Sequence, residues 1–124
     1  MSDRKRILMV DDDTVLCELT QEVLKETGYD VIAVSDVEEA RAAFSDNHYK
    51  FDLILLDHGL SGVSGEEFAA DFLRLRPDIP IALYTGAAVS LEEVRPKGIR
   101  AVIPRPLTKS ELTAALEHIL NGVL

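Results

Sequence analysis

A chain of 124 residues has the length of one domain, and folding at this size buries roughly two thirds of the surface exposed in the unfolded chain. Apolar residues make up 47% of the sequence and aromatic ones only 6%, so the expected core is mainly Ile, Leu, Val and Ala rather than stacked rings. A formal net charge of -9 argues against nucleic-acid binding, which needs Lys and Arg concentrated on one face, and favours cations or basic partner surfaces.

In chain order, Arg4, Lys5 and Arg6 are expected to form a solvated tail, with no signal-peptide core behind them. The first apolar run, Ile7 to Val10, ends in Asp11, Asp12 and Asp13. Val15, Leu16, Leu19 and Val23 then recur at helical spacing and predict a core-facing stripe, with Asp13 as the helix N-cap. Cys17 is the single cysteine, which excludes an intrachain disulfide and fits a reducing compartment; it is expected to be a small helix residue. Val31 to Val34 is the second strand, and Ser35 with Glu38 predicts a capping box opening the second helix. Leu53 to Leu56 follows, ending in Asp57, and Ser64 with Glu67 predicts the next cap. Ile79 to Leu83 is the fourth strand, followed by Thr85 and Gly86. Ser90 with Glu93 opens a fourth helix that Pro96 and Gly98 close after about two turns. Ala101 to Ile103 leads to Arg105 and Pro106, and Thr108 with Glu111 caps a last helix whose core stripe is Leu112, Leu116, Ile119 and Val123. No apolar run approaches the roughly 18 residues of a membrane helix, and the expected location is the cytoplasm.

Short apolar runs without alternation suit strands covered on both faces. Alternated with helices, they predict an α/β fold of (βα)5 type, a doubly wound five-stranded parallel sheet, as one domain over 1–124. There is no linker, repeat or low-complexity tract.

In open parallel sheets, ligands bind beyond the carboxyl ends of the strands. That rule gathers Asp11, Asp12, Asp13, Asp57, Thr85, Gly86 and Arg105. Carboxylates about 4 Å apart repel by roughly 4 kcal/mol per pair at an effective dielectric of 20, so the cluster needs protons or a cation. Mg2+ suits it, because it accepts one or two carboxylates with retained waters and phosphate oxygens. With its charge screened, one carboxylate can attack phosphorus. Thr85 can donate a hydrogen bond to a phosphoryl oxygen, Arg105 can pair with another, and Gly86 keeps the entrance open. His58 has no His or Cys at ligand spacing and is expected to be a loop side chain. His48 and His118 receive no role.

These residues resemble the receiver domains of two-component response regulators over essentially the whole chain. The resemblance lies in residues 7–12 (Ile-Leu-Met-Val-Asp-Asp), residues 52–57 (Asp-Leu-Ile-Leu-Leu-Asp) with Gly65 beyond, the pair Thr85 and Gly86, and the run Arg105, Pro106, Leu107. It implies a flavodoxin-like sheet of strand order 2-1-3-4-5. It also implies a phosphoacceptor signalling domain rather than an enzyme, in which Asp57 takes a phosphoryl group from a histidine kinase or histidine phosphotransfer protein. Asp12, Asp57 and the backbone carbonyl of Gly59 would hold Mg2+ directly, with Asp11 acting through bound water. Phosphorylation would draw Thr85 inward and remodel the fourth helix, fifth strand and fifth helix, the output face and a candidate homodimer surface. The Arg105–Pro106 peptide bond is expected to be cis. Residues 75–81 further resemble receivers attached to sensor kinases.

Three departures from that pattern stand out. Arg105 replaces the usual Lys, keeping the charge but offering a planar fork in place of a point charge. Val102 stands where the family often has an aromatic ring, with Tyr84 as a candidate to compensate. Ser61 replaces a proline, and Gly59 and Gly62 loosen that loop. Two rival functions follow. One is a pseudo-receiver, an interaction module without phosphorylation. The other is a haloacid-dehalogenase-type phosphatase with Asp11 as nucleophile and Asp13 as general acid, for which the chain is short. Neither nucleotide-binding glycine motif occurs.

Overall fold

A computed structural model of the chain describes residues 4–48, 50–57, 65–86, 89–104 and 108–121. Five strands alternate with five helices: β1 (Arg6–Val10), α1 (Thr14–Thr27), β2 (Asp30–Val34), α2 (Val37–Asp46), β3 (Leu53–Leu56), α3 (Gly65–Leu75), β4 (Ile81–Thr85), α4 (Leu91–Val94), β5 (Ala101–Pro104) and α5 (Lys109–Leu120). All pairings are parallel and the sheet order is β2-β1-β3-β4-β5. The chain runs outward from β1 to β2, then returns to β3 on the other side of β1. That reversal makes the β1/β3 junction the switch point. Among the described residues, no helix is long and apolar enough to cross a membrane.

Alternation along each strand sends side chains to two cores. Ile7, Met9, Leu53, Leu55, Ala82, Tyr84 and Ile103 pack against α1 and α5. Leu8, Val10, Ile54, Leu56, Ile81 and Leu83 pack against α2, α3 and α4. Every residue of β3 and β4 is buried, which explains why these runs show no polar alternation. The second core departs from the expected aliphatic composition. Phe44, Phe51, Phe68 and Phe72 are all buried within it, and the Phe72 ring centroid lies 4.8 Å from that of Phe68 and 5.1 Å from that of Phe44. A few rings suffice because the sheet brings α2 and α3 together over one spot.

The predicted stripe of α1 holds only in part. Among the described side chains Cys17, Thr20 and Leu24 are buried, Val23 packs half-buried against the same core and Leu16 is half-buried, whereas Val15 and Leu19 are 68% and 57% exposed. Both sets have helical spacing, so periodicity alone does not choose between them. The turn after β1 and the Asp13 cap set the rotation of the helix about its axis. The predicted α5 stripe holds at Leu112, Leu116 and Ile119, while Val123 lies outside the described residues.

Two predicted caps shift. Asp36, not Ser35, caps α2 by accepting the Glu39 N–H, and the Ser35 N–H and hydroxyl donate to the Glu39 carboxylate. Ser90 caps α4, but through the N–H of Glu92 rather than Glu93. The Thr108–Glu111 box closes in both directions, and Asp13 caps α1 as expected. Ser64 lies outside the described residues. β4 begins at Ile81, two residues later than predicted, because Ile79 N–H is taken by the Arg76 carbonyl in a turn.

The fourth helix is short, as predicted, and hands over to a 3-10 turn at Arg95–Lys97 that ends at Gly98 with φ 90°. A Cβ on Gly98 would collide with the Leu73 side chain. Arg6 is not tail but the first residue of β1, and its guanidinium donates to the Lys50 carbonyl and to Asn47 Oδ1.

Candidate functional site

The sheet's hydrogen bonding continues one residue past two strands. Asp11 N–H donates to the Val34 carbonyl at 3.1 Å, and Asp57 N–H donates to the Val10 carbonyl at 2.9 Å. Val10 is the register partner of Leu56, so Asp11 and Asp57 stand side by side at the carboxyl edge of the switch point. Both are buried, at 4% and 7% exposure. Their backbones are fixed by the sheet, which leaves the carboxylates no route away from each other except by side-chain rotation.

Asp12 completes the group from the exposed side. One carboxylate oxygen from each of Asp11, Asp12 and Asp57 falls within 4.8 Å of the others. The third acidic residue of the run does different work. Asp13 Oδ1 accepts the Leu16 N–H at 3.1 Å as N-cap, and its own N–H donates to Asp11 Oδ1 at 2.9 Å. One Asp11 oxygen is thereby tied to the turn that starts α1. A carboxylate engaged as a helix cap is poorly placed to be the general acid of a phosphatase.

Thr85 closes β4 and is 3% exposed; Gly86 follows it at the surface. Leu56 pairs with Leu83, so Thr85 stands one residue further out along its strand than Asp57 does along β3. The expected site residues Asp11, Asp12, Asp57, Thr85 and Gly86 are therefore brought to one edge. Gly59, His58, Arg105 and the Arg105–Pro106 bond lie outside the described residues. Tyr84 does not take the place of a ring at Val102. It sits in the α1/α5 core, whereas Val102 packs against the opposite one.

Sequence spacing pointed to no role for Glu18, Gln21 or Glu39. With Asp11, Cys17 and Ser35 they line a cavity of about 210 Å3 beside the acidic group. Glu18 and Gln21 come from α1 and Glu39 from α2, and their meeting at one cavity is a tertiary arrangement that no local pattern signals. Burial raises the Cys17 thiol above its ordinary value, and the negative charges of Asp11, Glu18 and Asp13 raise it further, which disfavours the thiolate form.

A buried carboxylate pair with a third acid within reach, at the switch point of a 2-1-3-4-5 sheet, coincides with a family match. The model of the response regulator receiver domain matches residues 7–117. This chain belongs to that family. The receiver domain is 32% identical over 123 residues to the transcriptional regulatory protein AruR of Pseudomonas aeruginosa, covering 95% of this chain and 50% of AruR. It is 36% identical over 118 residues to the regulatory protein VanRB of Enterococcus faecalis, covering 94% of this chain and 52% of that protein. The chain thus spans about half the length of these curated relatives. Among solved structures, a CheY-like receiver domain protein from Methanospirillum hungatei superposes with a TM-score of 0.86 at 30% identity, covering 97% of this chain and 96% of that one. TrrA of Thermotoga maritima, in complex with Mg(2+)-BeF, superposes with a TM-score of 0.81 at 29% identity, covering 93% and 98%.

Proposed function

We propose that this receiver domain, taken as the whole of 1–124, accepts a phosphoryl group on Asp57 from the phosphohistidine of a histidine kinase or histidine phosphotransfer protein, with Mg2+ as cofactor. The observation that carries the proposal is the approach of Asp11, Asp12 and Asp57 oxygens to within 4.8 Å of one another at the switch point. The donor set is all oxygen, hard and anionic, and one member is exposed, which fits a divalent ion that keeps some of its water. Asp12, Asp57 and the Gly59 carbonyl would hold the ion, with Asp11 acting through water. When bound, it supplies positive charge that offsets the carboxylates and the phosphoryl oxygens.

The residues then divide the work. An Asp57 oxygen attacks phosphorus as the phosphorus–nitrogen bond of the donor breaks, giving an acyl phosphate and a free imidazole on the donor. The sheet holds Asp57 in place through its N–H, so little reorganisation is needed. Thr85 donates its hydroxyl to one phosphoryl oxygen, Arg105 pairs with another as a guanidinium in place of the usual ammonium, and Gly86 leaves the approach open. The switch follows when Thr85 turns towards the phosphoryl group and the α4, β5 and α5 surface adjusts, forming the output and dimerisation face. Val102 offers little bulk to refill the space behind Thr85, so coupling to that face is weaker than with an aromatic ring.

The test is incubation with Mg2+ and acetyl phosphate, followed by intact mass. The expected result is one phosphoryl adduct on the wild type and none on Asp57→Asn. If a control receiver is labelled and this chain is labelled neither by acetyl phosphate nor by a phosphorylated histidine kinase, the pseudo-receiver reading replaces this one. Turnover of a phosphate ester that Asp11→Asn abolishes and Asp57→Asn spares would instead establish a phosphatase.

A further inference from the structure

The amino-terminal edge of the same two central strands holds a cavity of about 500 Å3, lined by Arg4, Arg6, His48, Lys50, Asp52 and Arg76 over Phe51. We propose that this cavity binds a multiply charged phosphate anion, either inorganic pyrophosphate or the phosphate chain of a nucleotide. Among the described residues, four cations line the cavity with one carboxylate, in a chain whose net charge is -9. The cavity volume falls in the usual range of roughly 300 to 1,000 Å3 for small-ligand sites.

The cationic walls are ordered in advance. The Arg6 guanidinium lies over the Phe51 ring, 5.0 Å from its centroid, and donates to the Lys50 carbonyl at 3.2 Å and to Asn47 Oδ1 at 2.8 Å. Arg76 donates to the Phe51 carbonyl and to Asp78. Guanidinium planes held this way lose little freedom when a phosphate arrives, and their geometry matches phosphate oxygens. The Asp52 carboxylate is turned towards the strand, where its Oδ2 accepts the Arg6 N–H at 2.8 Å. Two carboxylates paired with these cations are surface groups. Arg4 and Asp30 lie 3.6 Å apart with about half of each side chain exposed, and Asp78 is 78% exposed, so solvent screens both pairs. The C-terminus of α2 accounts for one cation, Arg6 beside Asn47. Lys50, Arg4 and Arg76 bring further positive charge to the same space.

This site sits where β1 and β3 begin, and Asp11 and Asp57 sit where they end, so its occupancy is independent of phosphorylation at Asp57. The experiment is isothermal titration of the full chain with sodium pyrophosphate and, separately, with ATP, in EDTA so that the acidic edge attracts no anion. Amide shifts are mapped by NMR alongside. Saturable binding is expected, with shifts confined to residues 4–6, 48–52 and 76, and unchanged in Asp57→Asn. Tighter binding of ATP than of pyrophosphate identifies a nucleotide as the source, and equal binding identifies the phosphate chain alone. Arg4→Gln combined with Lys50→Gln, both at exposed side chains, should weaken binding about tenfold, as expected for withdrawing two charge-assisted contacts. Unchanged affinity in that variant, with an unchanged melting temperature, overturns the site. So does absence of binding in the wild type, or shifts centred elsewhere. Preference for a polyglutamate peptide over both phosphates also overturns it, in favour of an acidic protein partner.

Discussion

The two ends of β1 and β3 treat charge in opposite ways. Where the strands begin, opposite charges and dipoles meet: Arg6 N–H reaches Asp52, its guanidinium reaches two oxygens, and Arg76 bonds the Phe51 carbonyl. Where they end, like charges are brought together, with Asp11 and Asp57 buried beside Asp12. The first edge contributes to the fold. The second sets like charges together at the ends of buried apolar strands. A buried gathering of like charges without a packing role is where binding chemistry is to be sought, since a cation can offset their repulsion on arrival.

The largest effect should come from cutting the support that both edges share. Phe72→Ala removes a ring that packs on Phe44 and Phe68 and should lower stability by about 3–5 kcal/mol in urea unfolding. A loss under 1 kcal/mol would mean that the aromatic cluster is not what secures the strands.

Mg2+ sharpens the contrast next. At ten times its dissociation constant the ion should stabilise the wild type by about 1.4 kcal/mol, read as a rise in melting temperature. Asp57→Asn should be more stable than the wild type in EDTA and respond weakly to Mg2+. Equal stability of the two proteins without metal would show that the carboxylates do not repel measurably.

Asp13 separates cap from ligand. Asp13→Ala should cost about 1 kcal/mol through the lost bond to Leu16 N–H, and Asp13→Asn only a few tenths. If Asn were as damaging as Ala, the charge rather than the cap would matter.

The smallest effect concerns a carboxylate that the fold uses favourably. Hydrogen bonds from the Thr108 backbone N–H and then its hydroxyl lower the Glu111 carboxyl below its ordinary value of 4.5. A lowered folded value means that the stabilisation is present above pH 4.5 and is lost as pH falls through the folded value. Helicity of α5 should therefore weaken over that acid window by circular dichroism, and Glu111→Gln should remove that part of the pH response.

Much of this was readable along the chain. Runs such as Leu53–Leu56 announce strands buried on both faces because they never alternate, and the capping residues Thr108 and Asp13 act locally, within one turn. What failed was rotation and register. Val15 and Leu19 looked like core residues but face outward, and the cap of α2 moved from Ser35 to Asp36. Arg6 looked like tail and became strand, because its partners Lys50, Asn47 and Asp52 are more than 40 residues away.

The sequence by itself determined the order of elements and the chemistry available at the strand ends, since both depend on short-range pattern: Asp11, Asp12 and Asp57 each follow an apolar run. Only the tertiary structure decided that these carboxylates meet. Their approach depends on β1 pairing with both β2 and β3, so that Asp11 N–H reaches Val34 and Asp57 N–H reaches Val10. The β1–β3 pairing brings Arg4 and Arg6 beside Lys50 at the other edge, and Arg76 joins them through the Phe51 carbonyl, because a sheet places in contact residues that the chain holds far apart.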